Sequence, residues 1–169
     1  MIFENLLLPR EVYPTFEDVT AEHLTSLGIK YIFSDIDNTL ATYDDPTPPE
    51  RVVQWCKKMN EAGIKIAFVS NNNHERVELF NRDFGYVAYA KAGKPFTGKL
   101  KQAMTDLGAT AENSVLLGDQ LLTDAAAGNS AGMYVIIVPP IKDKTSPFFR
   151  FKRWLEKPYM KKFNKINNK

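Results

Sequence analysis

Two aspartates stand directly after an apolar run near the start of the chain. Asp35 and Asp37 follow Tyr31-Ile32-Phe33, and Asn38 and Thr39 come next. Two carboxylates so close together repel each other, and folding alone gives no reason to place them there. Carboxylates in such a position serve as nucleophiles, as general acids or bases, or as ligands of divalent cations. The pair therefore indicates that something cationic or electrophilic binds at the end of this apolar run.

Three further groups of polar residues follow later apolar runs. They are Ser70-Asn71 after residues 64–69, Lys91 and Lys94 after residues 86–90, and Gly118-Asp119 with Asp124 after residues 114–117. In open parallel sheets, ligands bind beyond the carboxyl ends of the strands, so we expect these groups to lie together. Several converging carboxylates need a divalent cation. Oxygen ligands favour Mg²⁺, which keeps several waters and usually also binds a phosphate.

The pattern of apolar residues predicts the elements that position these groups. Strands are predicted at 30–34, 64–70, 86–90, 114–119 and 134–139, and helices at 17–27, 49–62, 77–84, 100–107 and 124–132. Near-continuous apolar strands that alternate with helices indicate a mainly parallel sheet covered on both faces. We therefore expect a three-layer, Rossmann-like α/β domain over residues 1–141.

Composition limits the class of protein. The chain has 169 residues, of which 44 % are hydrophobic and 25 % are charged, as in an ordinary globular domain. Its single cysteine, Cys56, lies on a helical stripe with Val52 and Met59, and this placement favours packing. No run approaches the roughly 18 apolar residues of a membrane span. The first residues, with Glu4 and Pro9, make a poor signal peptide, so we expect a cytoplasmic protein.

The four polar groups together resemble the signatures of the haloacid dehalogenase (HAD) superfamily of phosphotransferases. The matching residues are Asp35-Ile36-Asp37-Asn38-Thr39, Ser70, Lys94, and Gly118-Asp119 with Asp124. They occur in the order of the family's motifs, over residues 31 to about 130. The resemblance implies an HAD-like fold and a Mg²⁺-dependent phosphatase with an aspartyl-phosphate intermediate. An acid two residues after the nucleophile distinguishes the phosphatases of this family from the dehalogenases.

The resemblance also implies a role for each acid. Asp35 would be the nucleophile, and Asp37 would protonate the leaving oxygen and then activate water. Asp35, Asp119 and the backbone carbonyl of Asp37 would bind Mg²⁺. Asp124 would hold the metal through water or position the other ligands.

Phosphate binding is the remaining role that the resemblance implies. Ser70, the Asn71 amide and Lys94 would hold the phosphoryl oxygens, on which charge lies in the transition state. Lys91 is the rival of Lys94. We favour Lys94 because Lys94-Pro95 stands directly before a predicted helix.

The spacing between the motifs leaves no room for a cap domain. Only 33 positions separate Asp37 from Ser70, and only 24 separate Ser70 from Lys94. An open site results, as in the capless class III branch (subfamily IIIA) of the family. Within that branch, the chain resembles the YqeG-like members, which are similar to phosphatidylglycerophosphate phosphatases. The resemblance therefore suggests a phosphorylated substrate, with a phospholipid as the candidate.

The last 28 residues differ in charge from the rest of the chain. Residues 142–169 contain ten Lys or Arg and two acids, whereas the first 141 residues carry a net charge of −6. Six aromatic residues are interleaved with these basic ones. Such a tail can pack on the domain, contact an anionic membrane surface from the cytoplasmic side, or bind nucleic acid. Pro158 is expected to interrupt any single long helix here.

Two alternatives to an active phosphatase share some of these features. A response-regulator receiver domain also uses an aspartyl-phosphate, Mg²⁺, a hydroxyl and a lysine, but it needs an acid where this chain has Ser70-Asn71. A nucleic-acid-binding protein with an inactive phosphatase core would explain the basic tail. Because the motifs are complete, a Mg²⁺-dependent phosphomonoesterase is the favoured interpretation.

Overall fold

The computed structural model describes residues 2–142 and 147–167, in which strands and helices alternate. The strands are β1 (Glu11–Val12), β2 (Tyr31–Ser34), β3 (Lys65–Val69), β4 (Ala88–Tyr89), β5 (Ser114–Gly118) and β6 (Tyr134–Ile137). The helices are α1 (Ile2–Leu7), α2 (Ala21–Ser26), α3 (Glu50–Glu61), α4 (His74–Asn81), α5 (Gly98–Leu107), α6 (Ala126–Ser130) and α7 (Pro147–Asn167). A 3₁₀ turn, Phe16–Asp18, precedes α2, and a π-helical turn, Leu121–Ala125, precedes α6.

The sheet is parallel, as the sequence predicts. Its six strands lie in the order β1-β6-β5-β2-β3-β4. The central strand β2 pairs with β3 and β5 in a register that places Ser34 beside Phe68 and Leu117. The chain continues from β2 to β3 on one side and later returns to β5 on the other. The strand order therefore reverses between β2 and β5, which is where ligands bind in folds of this kind.

Helices cover both faces of the sheet. Successive residues of β2 point to opposite faces, so that Ile32 packs against one layer and Phe33 against the other. Helices α2, α3 and α4 supply the first layer, and α5 and α6 supply the second. The expected three-layer α/β fold is confirmed. Cys56 is fully buried in the first layer, where burial raises the pKa of its thiol to about 12.

Two elements near the start of the chain were absent from the predicted set. Strand β1 pairs with β6 through two residues, and Arg10 and Tyr13 donate backbone hydrogen bonds to Val135 and Ile137. Helix α1 has six residues, and Asn129 donates to the carbonyls at its end. Both elements are too short to produce a hydrophobic period, so tertiary contacts define them.

The expectation that Pro158 interrupts the tail is wrong. Helix α7 is 21 residues long, and Pro158 lies inside it. A proline inside a helix removes the N–H that would bond to the carbonyl four residues earlier, here that of Trp154. Pro158 and Trp154 are both exposed and therefore lie on the side of α7 that faces away from the core. None of the helices in the described ranges combines the length and hydropathy needed to cross a bilayer.

Candidate active site

Asp35 lies at the tip of the central strand. Its backbone N–H donates to the carbonyl of Leu117 at 2.9 Å, which extends the pairing of β2 with β5 by one residue. Its carboxylate oxygen Oδ1 accepts a hydrogen bond from the N–H of Ile36 at 2.8 Å. The side chain is 12 % exposed. The Asp35 carboxylate is therefore fixed in a crevice that remains open to a ligand.

Asn38 turns the chain back after the two aspartates. Its φ of 62° lies in the left-handed region, which asparagine tolerates better than most residues. Its carbonyl and side-chain oxygens accept hydrogen bonds from the N–H groups of Ile141 and Lys142. The next residue, Thr39, is buried and donates to Oδ1 of Asp119 at 3.2 Å. The turn thus connects the segment that carries Asp35 and Asp37 to Asp119.

Gly118 allows Asp124 to pack against the end of β5. A Cβ at position 118 would lie 2.3 Å from Cγ of Asp124, which is far inside van der Waals contact. The Asp124 carboxylate accepts hydrogen bonds from the N–H groups of Asp119 and Gln120, both at 3.1 Å. Asp124 belongs to the π-helical turn, an irregularity often found at functional sites. A glycine at position 118 is therefore required by the position of the Asp124 carboxylate.

Three carboxylates converge at this point. Ligand atoms of Asp35, Asp119 and Asp124 all lie within 4.8 Å of one another. The ammonium Nζ of Lys94 lies 2.6 Å from Asp124 Oδ1 and 3.5 Å from Asp35 Oδ1. Burial raises the pKa of Asp35 to about 7 despite the nearby Lys94, and burial together with Asp124 raises that of Asp119. The three carboxylates outnumber the single ammonium among them, and such a group of hard oxygen donors suits a divalent cation.

Ser70 and Lys94, the residues predicted to bind phosphate, lie beside the carboxylates. Ser70 is buried at the end of β3, and its hydroxyl oxygen accepts a hydrogen bond from the N–H of Asn72. The side-chain amide of Asn71 bonds the backbone of Lys94 twice, at 2.9 and 3.0 Å. Lys94 is buried in the cluster, whereas Lys91 is exposed. Asn71 therefore positions Lys94 through its side chain, and this contact was not foreseen from the sequence.

Arg76 on α4 is a site residue that sequence reasoning missed. Its guanidinium donates two hydrogen bonds to Oδ1 of Asp37, at 3.1 and 3.0 Å, and it also bonds the carbonyls of Thr42, Asp45 and Pro46. Asn72 donates to the other oxygen of Asp37 at 2.8 Å. Arg76 thus fixes Asp37 and the loop 42–46 together. The only signal for this contact in the sequence was an arginine in the first turn of the helix that follows Ser70.

Helix α7 contacts the site directly, and this was also unforeseen. Arg153 donates to the carboxylate and the carbonyl of Asp119, at 2.9 and 3.0 Å. Glu156 is buried, and it accepts hydrogen bonds from Arg153 and from the N–H groups of Leu121 and Leu122. Lys152 donates to the side chain of Gln120 at 3.2 Å. The basic tail therefore supplies contacts to a residue of the carboxylate cluster.

A crevice of about 260 Å³ lies above these groups. It is lined by Asp35, Asp37, Tyr43, Ser70, Asn71, Asn72, Lys94, Gln120, Thr123 and Lys152. Residues 38–69 contain only the loop 38–49, α3, β3 and the turn between them, and residues 71–93 contain only α4, β4 and their loops. No cap domain is inserted within these two described stretches, as the spacing predicts. Of the predicted site residues, Asp35, Asp37, Ser70, Asn71 and Lys94 thus line one open crevice, and Asp119 and Asp124 are buried beside Asp35. Their individual roles remain predictions.

Comparison with known proteins identifies the class. A family model for haloacid dehalogenase-like hydrolases matches residues 4–132. The chain belongs to this family. Its sequence is 36 % identical over 156 residues to a Bacillus subtilis protein described as "Probable phosphatase YqeG", covering 92 % of this chain and 91 % of that protein. The prediction of a haloacid dehalogenase-type phosphatase is thereby confirmed, and the receiver-domain alternative is dropped.

Solved structures share the fold. CbbY from Rhodobacter sphaeroides, in complex with phosphate, is 16 % identical with a TM-score of 0.56, over 71 % of this chain and 90 % of that one. The cobalt-bound deoxy-D-mannose-octulosonate 8-phosphate phosphatase from Haemophilus influenzae is 18 % identical with a TM-score of 0.52. That match covers 77 % of this chain and 88 % of the other. At such identities the likeness concerns the fold alone.

Proposed function

We propose that the protein is a Mg²⁺-dependent phosphomonoesterase that forms an aspartyl-phosphate on Asp35. The observation that carries this proposal is the position of the Asp35 carboxylate. It lies at the tip of the central strand, open to the crevice, 3.5 Å from the Lys94 ammonium and beside Asp119 and Asp124. A carboxylate so placed can attack phosphorus while cationic groups stabilise the transferred oxygens.

The reaction would take place in two displacements. First, a carboxylate oxygen of Asp35 bonds to phosphorus and the bond to the ester oxygen breaks, while Asp37 donates a proton to the leaving oxygen. Then Asp37 accepts a proton from a water molecule, which attacks the same phosphorus and releases inorganic phosphate with regeneration of Asp35. Asp37 lines the crevice together with Asp35, so both carboxyl groups can act on one substrate.

The cation is proposed from the chemistry of the donors. Asp35, Asp119 and the carbonyl of Asp37 would hold Mg²⁺, and Asp124 would orient these ligands through its backbone hydrogen bonds and its contact with Lys94. When bound, Mg²⁺ neutralises the charge on the phosphoryl oxygens and on the carboxylates. The oxygen-only donor set fits this ion.

Ser70 and Lys94 are proposed to hold the phosphoryl oxygens. Both line the crevice next to Asp35. Burial by itself lowers the pKa of Lys94. The nearby carboxylates of Asp124 and Asp35 raise this pKa by more, so the ammonium stays charged. Asn71 would contribute by fixing the backbone of Lys94.

Replacing Arg76 with Lys is expected to impair Asp37 selectively. Lysine retains the charge but loses the two-pronged contact with the Asp37 carboxylate. Misplacement of a general acid by about 1 Å can cost on the order of a hundredfold in rate. We therefore expect kcat/KM for an alkyl phosphate, which reports the step that breaks the bond to the leaving oxygen, to fall about 10- to 100-fold. The kcat/KM for p-nitrophenyl phosphate, whose leaving group needs little protonation, should fall much less.

The matched control for this prediction is Arg82→Lys, at an exposed position at the end of the same helix. It should leave both rates unchanged. Equal losses on the alkyl and aryl substrates in Arg76→Lys would mean that Arg76 has no specific effect on protonation by Asp37.

A phospholipid monoester, such as phosphatidylglycerophosphate, is the proposed substrate class. The open crevice leaves room for a substrate that remains partly embedded in a membrane. The basic, aromatic α7 adjoins that crevice, because its Lys152 is one of the lining residues. We further propose that the enzyme acts at the cytoplasmic face of a membrane. The single cysteine, which is typical of a reducing compartment, supports that location.

Substrate preference tests this part of the proposal. Phosphatidylglycerophosphate in mixed micelles should give a kcat/KM at least about tenfold above those of sugar phosphates and nucleoside monophosphates, since remote binding energy raises turnover. Rates are to be compared at equal Mg²⁺ with the full chain. A water-soluble phosphate hydrolysed better than the lipid would refute the lipid assignment and leave the phosphatase assignment intact.

A further inference from the structure

An apolar groove lies between the start of α1 and the middle of α7. Its volume is about 630 Å³, larger than the crevice. The groove is lined by Phe3, Leu122, Trp154, Leu155, Lys157, Pro158, Tyr159 and Lys161. Apart from the lysines, these are apolar or aromatic side chains. A concave surface of this composition is suited to hydrocarbon.

Large aromatic side chains stand exposed at this groove. Phe3 and Trp154 are 62 % exposed and Phe151 is 56 % exposed. The rings of Phe151 and Trp154 stack on each other with 6.1 Å between their centroids. Several exposed aromatics together mark a surface that binds a partner, whereas single ones are ordinary. Tryptophan and phenylalanine are typical of surfaces that insert into the membrane interface.

Positive charge surrounds the same surface. Helix α7 carries seven basic residues and one acid, Glu156. Arg153 and Lys162 form ion pairs with the domain. Four other basic residues are exposed, namely Arg150, Lys157, Lys161 and Lys165. The surface is thus complementary to anionic headgroups, whereas the first 141 residues are net negative.

The groove and the crevice take lining residues from the same two short segments. Gln120 and Lys152 line the crevice, while Leu122 and Trp154, two residues further along each segment, line the groove. Residues two apart on a helix are separated by about 3 Å of rise but point to different sides. The groove and the crevice are therefore separate surfaces, to which the same two segments contribute.

We infer that this surface, composed of Phe3, Phe151, Trp154, Lys157 and Lys161 around the groove, binds anionic phospholipid bilayers. Acyl-chain carbons enter the groove, and the lysines contact headgroup phosphates. The inference deepens the proposed function and rests on it, because it assigns the surface through which the enzyme would reach a lipid substrate. Binding to the bilayer itself does not depend on catalysis.

Vesicle binding tests the inference with the full chain. Sedimentation with vesicles of phosphatidylglycerol and phosphatidylcholine should capture the protein, and pure phosphatidylcholine should capture much less. The double variant Phe151→Ser/Trp154→Ser should weaken binding roughly tenfold or more, and Lys157→Glu/Lys161→Glu should do the same. The matched control is Lys57→Glu/Lys58→Glu, which makes an equal charge change at exposed positions on α3.

Tryptophan fluorescence locates the contact. The chain has two tryptophans, and Trp55 is buried at 5 % exposure whereas Trp154 is exposed. Lipids brominated on their acyl chains should quench the emission of the wild type, and quenching should vanish in Trp154→Ser. Binding without quenching would place the groove outside the hydrocarbon and overturn the inference.

Other outcomes also overturn it. These are absence of binding to anionic vesicles, unchanged binding in both double variants, or use of this surface for oligonucleotides or for a second copy of the chain. Hydrolysis of p-nitrophenyl phosphate, assayed in the same preparations, should be unchanged in both double variants. If vesicles bind but no phosphate ester is hydrolysed, the proposed function fails and the lipid-binding surface stands. If phosphate esters are hydrolysed but vesicles do not bind, the lipid-binding surface fails and the proposed function stands.

Discussion

Replacing Asp35 with Asn should reduce kcat for p-nitrophenyl phosphate by at least about a thousandfold, because the amide cannot form the aspartyl-phosphate. The substitution preserves the size of the side chain and the acceptor oxygen that bonds the Ile36 N–H. The folded structure should therefore persist, as circular dichroism can verify. Asp44→Asn is the control, since Asp44 is an exposed acid outside the carboxylate cluster. Full activity in Asp35→Asn would end the assignment of the nucleophile.

The same variant should alter the dependence of stability on pH. Burial raises the pKa of Asp35 from the ordinary 3.8 to about 7, so the folded state binds a proton that the unfolded state has released. The free energy of unfolding should therefore fall as pH rises from about 4 to about 7. Asp35→Asn removes this loss. In buffer with EDTA, the variant should exceed the wild type in Tm at pH 8 but not at pH 4.

Removal of the divalent cation is the second change with a large expected effect. EDTA should reduce turnover by at least about a hundredfold, since the cation supplies several kcal/mol of charge stabilisation. Added Mg²⁺ should restore turnover. It should also raise the Tm of the wild type at pH 8, because a ligand that binds the folded state stabilises it.

Asp119→Asn distinguishes a specific site from a general effect of salt. This variant should lose most of the Tm increase with Mg²⁺, because Asp119 is buried among the carboxylates of the cluster. Glu61→Gln, at an exposed acid on α3, is the control and should keep it. Turnover that persists in EDTA, together with a Tm that does not respond to Mg²⁺, would contradict the metal assignment.

The carboxylate cluster could be predicted because a parallel sheet brings the carboxyl ends of its strands to one edge. Asp35, Ser70 and Asp119 each follow an apolar run, so identification of the runs was sufficient to place them. No periodicity identifies Arg76 or Arg153. Their contacts with Asp37 and Asp119 join elements 39 and 34 residues apart and depend on how helices pack.

Local sequence rules were also insufficient for the tail. Proline disrupts the backbone ladder, so local rules predict that Pro158 interrupts any single long helix. Tyr159 and Met160 pack against a buried apolar cluster, and these contacts outweigh the missing hydrogen bond. The cluster consists of Leu121, Ala125, Val135 and Ile137. The same limitation applies to β1, in which two residues are ordered by pairing with β6.

The ion pair between Arg153 and Asp119 has a thermodynamic consequence. In the proposed site, Arg153 and the cation would share the Asp119 carboxylate, so attachment of the terminal helix and occupancy of the metal position would be linked equilibria. If the cation changes the equilibrium constant for attachment of α7 by some factor, attachment of α7 must change the affinity for the cation by the same factor. A truncated chain without α7 should consequently titrate with Mg²⁺ at a different midpoint, even with every ligand intact.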